Sequence, residues 1–238
     1  MRPFSADLHI HSLLSPCASL DMSPREIIAH ALSKGLDMIA ITDHNSTLHC
    51  ELMVILGREA GITVLRGVEV TSIEDVHSLV IFQGEAETIS FQKWIDGNCA
   101  YIPNDPDFFG DQVVVDSDEN VIREIGHYLP AALNASLDEV ESAAHRHDAL
   151  FIPAHIDRPS MSIISQLGFV PDDLCVDAIE TVGTMNDLLY PVIANSDAHI
   201  PVHIGRRYTT YMLDHPSFEE LAMALRGEQG RHIIQTVR

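Results

Sequence analysis

Ala6-Asp7-Leu8-His9-Ile10-His11-Ser12 places two imidazoles two residues apart at the end of an apolar run. In an extended strand alternate side chains share a face, so His9 and His11 are expected to point one way while Leu8 and Ile10 point into the opposite layer. Two neutral imidazoles then meet one ion, and the strand holds their spacing without loop entropy. The same chemistry recurs where other apolar runs stop. His44 follows Met38-Ile39-Ala40-Ile41, Glu69 ends the run from Ile62, His155 follows Leu150-Phe151-Ile152-Pro153-Ala154, and Asp197 and His199 follow Pro191-Val192-Ile193-Ala194. His77 instead sits at the start of a run, Val76 to Phe82. Six histidines and two carboxylates exceed what one ion can use, so two or three ions a few ångströms apart are expected, with Glu69 or Asp197 bridging.

The elements that must position these groups alternate. Ser23-Pro24-Arg25-Glu26 reads as a capping box with proline at the first helical position, opening a helix through Ile27, Ile28, Ala31 and Leu32 that stops at Gly35. A helix from about Thr47 to Ala60 separates the second run from the third. Helix between strands predicts a parallel sheet, and apolar residues on both faces of Met38–Ile41 predict helices on both sides. Further on, a helix near Thr88 to Asp96 carries the only tryptophan, Trp94, read as core. Ser136-Leu137-Asp138-Glu139 is a second capping box, Ile163 to Leu167 a short helix closed by Gly168, and Val176 to Glu180, Pro191 to His199 and Tyr208 to Leu213 are strands. Ser217 to Leu225 is a terminal helix with Glu219 and Glu220 near its positive end. Tyr101 to Gln112, rich in Pro, Asn, Asp and Gly, reads as an inserted loop, and Val113-Val114-Val115 with Val121-Ile122 as a small hairpin. The expectation is one α/β domain over residues 1–238, carrying an insertion at about 101–125. In parallel α/β architectures the carboxyl ends of the strands form one rim, where residues distant in sequence meet.

Composition narrows the partners. The 238 residues are 46% hydrophobic, enough for a full core. With 14 basic against 35 acidic residues the formal net charge is −21, which disfavours binding along long nucleic acids or on an anionic membrane. Part of that charge could be ligand carboxylate that bound cations neutralise. Cys17, Cys50, Cys99 and Cys175 are widely spaced and form no C-x-x-C pair, so reduced thiols are expected. No apolar run approaches the length of a bilayer span, and the N-terminus shows no secretory h-region, which together predict a cytoplasmic protein. No feature speaks to oligomeric state.

The remaining ionisable residues have blander readings. His30, His49, His127, His145, His147, His203, His215 and His232 fall in helical or loop contexts and are read mostly as solvent-facing or as supports for ligands. His145 and His147 would lie on different helix faces, which argues against chelation. Asp43 is either a ligand or a group that orients an imidazole. Arg158, three residues beyond His155 on the presumed rim, is either a strand-end cation or a phosphate binder.

Asp7-Leu8-His9-Ile10-His11-Ser12, Ala40-Ile41-Thr42-Asp43-His44, Gly67-Val68-Glu69-Val70-Thr71, Pro153-Ala154-His155 and Asn195-Ser196-Asp197-Ala198-His199 together resemble the ordered motifs of the PHP (polymerase and histidinol phosphatase) superfamily. The resemblance implies a distorted (β/α)7 barrel with a trinuclear site at its C-terminal rim and phosphoesterase activity. It implies one ion held by His9, His11, Glu69 and Asp197, a second by Glu69, His77 and His155, and a third by His44, His199 and one more ligand. Many members carry an acidic residue followed by glycine after His-x-His, whereas this chain reads Ser15-Pro16-Cys17-Ala18. Cys17 in that place would favour zinc or iron over manganese or magnesium; Asp21 is the other candidate. The expected cofactors are two or three divalent ions (Zn, Mn or Fe), and the expected partner is a small phosphorylated substrate. A hydroxide held between two ions would attack phosphorus, with Asp197 and Arg158 as the residues that carry catalysis. A nuclease acting on short nucleic acid, an amidohydrolase-type enzyme and a non-catalytic metal-binding module are the alternatives.

Overall fold

A computed structural model describes residues 1–185 and 189–237. In chain order its elements are β1 (Arg2–Ile10), α1 (Pro24–Ser33), β2 (Met38–Ile41), α2 (Cys50–Ala60), β3 (Thr63–Thr71), β4 (His77–Phe82), α3 (Glu85–Asn98), α4 (Pro106–Phe109), β5 (Val113–Val115), β6 (Val121–Glu124), α5 (Leu137–Arg146), β7 (Leu150–Pro153), α6 (Ile163–Leu167), β8 (Ile179–Glu180), β9 (Val192–Ile193), β10 (Tyr208–Leu213), α7 (Phe218–Arg226) and β11 (His232–Val237).

The helices start where their capping residues stand. Ser23 accepts from the Glu26 amide at the head of α1, with Pro24 next to it, and Ser136 and Glu139 complete the reciprocal capping pair of α5. Gly61 in the left-handed region closes α2.

A seven-stranded sheet, β11-β10-β1-β2-β3-β4-β7, curls into a half-barrel. The parallel pair β8–β9 links the edge strand β7 back to the end of β1: the Ile156 amide donates to Glu180 O on one side, while the Ala198 amide donates to His9 O and the His11 amide to Ala198 O on the other. The fold is thus a distorted α/β barrel. Leu8, Met38, Ala40, Leu79, Ile81, Ile152 and Tyr211 fill its interior. Ile39 and Ile41 face outward against Ile27 and Ile28 of α1 and Met53 and Leu56 of α2, which explains why both faces of β2 are apolar. On the far side Phe91, beside the half-buried Trp94, packs with Val140 and Ala143 of α5 over β3, β4 and β7.

The sheet is not wholly parallel, contrary to expectation. β1–β2–β3 are parallel, but β4 is antiparallel to both β3 and β7, and β10 is antiparallel to both β1 and β11. The cause is connection length. Residues 72–76 are too few for a crossover helix, so β3 turns back directly into β4 and Thr71 pairs with His77. His77 therefore stands at the same rim as the carboxyl ends of β1, β3 and β7, although it begins its strand. The strands expected over Val176–Glu180 and Pro191–His199 shrink to two residues each. Side chains take over their pairing, with Asn195 Oδ1 accepting from the Leu8 amide and Thr209 Oγ1 from the Ala194 amide. The short α4 and the half-exposed edge strand β11 were not expected from the sequence. Leu8 and Ile10 do not share a layer either: Leu8 lies in the barrel interior and Ile10 under α1. The β1–β2 register shifts between Asp7 and Ile10, and this bulge re-aims the strand end that carries His9 and His11.

Candidate metal centre

Eight of the expected ligands converge at the rim, and Glu69 on β3 is the hub. Its Oε1 lies 3.3 Å from His9 Nε2, 2.9 Å from His77 Nδ1 and 3.1 Å from His155 Nε2; its Oε2 lies 3.3 Å from His11 Nε2 and 3.0 Å from His44 Nδ1. Asp197 Oδ1 lies 3.4 Å from both His9 Nε2 and His11 Nε2 and 3.5 Å from His199 Nδ1. All are buried except His199, which is 28% exposed and marks the mouth. His155 and Asp197 adopt positive φ angles, +31° and +49°, at the points where apolar segments turn into the rim. Left-handed backbone in non-glycine residues is sparsely populated, and here it aims two side chains into the cluster.

The donor set suits divalent cations. His9 Nε2 and His11 Nε2 are 3.2 Å apart, a separation that needs a proton or a cation between them. His77 Nε2 and His155 Nδ1 are buried without a hydrogen-bond partner among the described residues, and His44 Nδ1 lies 3.0 Å from Glu69 Oε2 without forming a hydrogen bond to it, which is costly unless something else satisfies them. Three groups bring their ligand atoms within 4.8 Å of one another: His9–His11–Asp197, His44–Glu69–His77 and His11–His44–His199. They share members, and His44 falls with Glu69 and His77 as well as with His199, so they cut across the division into three ions that the resemblance implies. His155 lies on Glu69 but outside all three groups.

Protons and charge are distributed unevenly. Burial opposes ionisation of Glu69, but His77, His9 and His44 outweigh it and hold its carboxyl well below the usual range. Asp197 is likewise held low, against burial, by His9 and His11. Burial disfavours charge on His9 and His11, yet Glu180, Glu69 and Asp197 hold His9 well above its ordinary value, and bonds to Asp197 and Glu69 lift His11 to about 9. Burial and neighbouring imidazoles push His44 well down and His199 to about 4. Without a cation, protons on His9 and His11 neutralise the buried carboxylates.

Around the ligands lies a layer that holds them. Glu180, at the end of β8, is 2% exposed and faces His9 Nδ1 at 3.0 Å, leaving Nε2 for the cluster; it also accepts from the His155 amide at 2.8 Å and Asn195 Nδ2 at 2.9 Å. The sequence offered one signal for it, an acidic residue closing an apolar run. Asp43 stands behind the cluster rather than in it. Its carboxylate accepts from the Ser12 amide and from Ser15 Oγ, each at 2.7 Å, and Ser15 Oγ lies 3.1 Å from His11 Nδ1.

Arg158 Nη1 donates to Asp197 Oδ2 at 2.6 Å, with the guanidinium 42% exposed. Cys17 is exposed at the mouth and outside the three tight groups. Loss of hydration against the surrounding chain first, then the negative charge of Glu69 and Asp197, pushes its thiol up to about 12. Asp21 is exposed and bonded to Ser19 Oγ at 3.3 Å. His145 pairs with Glu141 and Asp177, and His147 Nδ1 binds Ala143 O, so the second His-x-His does not chelate.

An α/β barrel whose rim gathers histidines around two buried carboxylates defines a metal-dependent hydrolase scaffold. The PHP domain matches residues 7–152 and the PHP-associated region matches residues 185–229. The chain belongs to the PHP domain family, whose members are metal-dependent hydrolases. It is 25% identical to the uncharacterized protein YqxK of Bacillus subtilis, with 98% of this chain and 65% of that one covered. Its fold is similar to the lesion-specific endonuclease PfuEndoQ of Pyrococcus furiosus, at a TM-score of 0.75 and 22% identity over 99% of this chain and 58% of that one. It is also similar to a putative metal-dependent phosphoesterase of Bifidobacterium adolescentis, at 0.53 and 18% over 82% and 87%. The chain thus spans about three fifths of the length of YqxK and PfuEndoQ.

Proposed function

We propose that this chain is a metal-dependent phosphoesterase acting on a small phosphate ester or nucleotide. The observation that carries the reading is Arg158 on Asp197: a guanidinium stands directly against a carboxylate of the cluster. His9, His11, His44, Glu69, His77, His155, Asp197 and His199 would hold two or three divalent ions, which supply Lewis acidity and lower the pKa of water to around 7. Arg158 presents its remaining N–H donors beside that position, the geometry suited to non-bridging phosphoryl oxygens. Arg206 and Arg207 add cationic charge at the same rim, pinned through their Nε groups to Ser196 O at 3.0 Å and Asn195 O at 2.9 Å. In a chain of net charge −21 this local excess favours an anionic substrate.

A second reading, a nuclease using the same site, is supported by the likeness to Endonuclease Q, one structure of which holds a duplex with an abasic lesion at its active site. The acidic balance favours short strands over long polymers. A panel of phosphate monoesters, nucleotides, short oligonucleotides, abasic duplexes and cyclic amides, assayed on protein with its native metals, separates these readings. Monoester or nucleotide turnover is expected, and it is abolished in His9→Ala and Asp197→Ala. Full activity in either variant, or turnover of cyclic amides alone, overturns the proposal.

A further inference from the structure

His49 occupies the N-cap position of α2 and is 1% exposed, yet its side chain makes no capping bond. Both ring nitrogens are engaged elsewhere, and the chain of partners fixes every proton. The Val115 amide on β5 donates to His49 Nε2 at 3.1 Å. A nitrogen that accepts carries no proton, so the neutral ring bears its proton on Nδ1. Nδ1 lies 2.7 Å from Ser12 Oγ and donates to it. Ser12 Oγ gives its own proton to Asp43 Oδ2 at 2.7 Å, and Ser15 Oγ gives its proton to Asp43 Oδ1 at 2.7 Å. Ser15 Oγ then has only lone pairs for His11 Nδ1, 3.1 Å away. His11 must donate from Nδ1, which leaves Nε2, the nitrogen facing Glu69 and Asp197, free to bind a cation.

The far end of this relay is the insertion. The β5–β6 register shifts between Val114 and Val115, at the residue whose amide turns to His49. The hairpin is seated on the segment that follows β1: Arg25 Nε and Nη2 donate to Ser117 O at 2.9 and 2.7 Å, and Val114, Ile125 and Leu129 pack on Leu14.

We propose that His49 is a positioning residue through which the β5–β6 hairpin holds Ser12 and Asp43, and with them the Ser15 hydroxyl that sets the cation-facing nitrogen of His11, an inference that rests on His11 being a metal ligand. The hairpin is then part of the metal-binding apparatus, and lifting it loosens His11. The test uses zinc affinity by chelator competition and nitrogen-15 spectra of the histidine rings. His49→Phe keeps a planar ring and removes both bonds; Val115→Pro removes the donor amide while leaving His49 in place, and probes the same link from the hairpin side should His49→Phe not fold. Both should weaken zinc tenfold or more, in the range seen when supports of a ligand are removed, and His49→Gln, with a donor and an acceptor, should recover part of the loss. In the wild type His49 should show a single Nδ1–H tautomer, and in Val115→Pro a mixture. Zinc affinity within twofold of wild type in both Val115→Pro and His49→Phe, or a wild-type His49 protonated on Nε2, overturns the inference. A wild type that binds no zinc overturns the reading of His11 as a ligand instead, and the tautomer measurement still decides whether the relay exists.

Discussion

Glu180→Gln removes one charge and changes almost no volume, so its effect reads out the hydrogen bonds of Glu180 and its charge against His9 rather than packing. The Glu180 carboxylate receives donors from three directions: His9 Nδ1 at 3.0 Å, the His155 amide at 2.8 Å and Asn195 Nδ2 at 2.9 Å. Glutamine has one oxygen. If that oxygen keeps His9 and His155, the new amide nitrogen meets Asn195 Nδ2, donor against donor. Asn195 cannot flip to relieve the clash, because its Oδ1 already accepts from the Leu8 amide at 2.8 Å. Asn195 Nδ2 and the new amide nitrogen are both left without an acceptor, which costs at least about 1–3 kcal/mol, and the bond to His9 loses its charge assistance, about 1 kcal/mol more. We expect Glu180→Gln to lower the stability of the metal-free protein by about 2–4 kcal/mol in urea unfolding and to weaken metal binding by about 10–100-fold in chelator competition. Metal affinity within twofold of wild type, with an unchanged unfolding midpoint, would refute the role assigned to Glu180.

Cys17→Ser and Asp21→Asn should both leave the metal-to-protein ratio measured by elemental analysis unchanged, because Cys17 is exposed and outside the three groups; a lowered ratio in Cys17→Ser would bring that thiol into the site. Because His11 is lifted from 6.5 to about 9 in the metal-free fold, its contribution to stability is fully present below about pH 6.5 and lost as the pH rises through 9. Urea midpoints of metal-free protein should therefore fall across that window, and a flat profile would contradict the proton distribution described. Gly57→Ala places a Cβ 2.3 Å from Val64 Cγ2 and 3.0 Å from Ile62 O, between α2 and β3, and should cost about 1–3 kcal/mol of stability through overpacking; thermal melts at wild-type values would show that α2 shifts freely. Arg158→Gln should raise KM for phosphate esters about tenfold or more with metal content retained, and an unchanged KM would separate Arg158 from substrate binding.

What the sequence revealed and what it concealed follow one physical division. Residues such as His9, His44, Glu69 and His155 were legible because each is an ionisable side chain at the end of an apolar strand, a local and costly arrangement that needs a reason. Strand direction was less legible, since it depends on whether a connection is long enough for a helix. The five residues between Thr71 and His77 were the clue that β4 must run back. The bulge in β1 left no mark in the alternation of Leu8, His9 and Ile10, because it is a matter of backbone register. Glu180 and His49 escaped for another reason. Each lies beside ordinary helix or strand residues, and only tertiary closure brings Glu180 to His9 across 171 positions and Val115 to His49 across 66.

That closure also explains how so acidic a chain tolerates Glu69, Glu180 and Asp197 buried against the two imidazoles of β1. Each faces His9 or His11, whose protons stand where a cation would. A cation bound there would exchange with those protons instead of bringing uncompensated charge into the fold, and its affinity is expected to rise with pH in chelator competition as the protons become easier to displace. His9 and His11 are the two imidazoles that Glu69 and Asp197 hold above their ordinary value, so the His-x-His of β1 sets that pH dependence. Glu180 holds one of them and the Asp43 relay the other, which is why changes to either support should act on metal affinity before they act on anything the substrate touches.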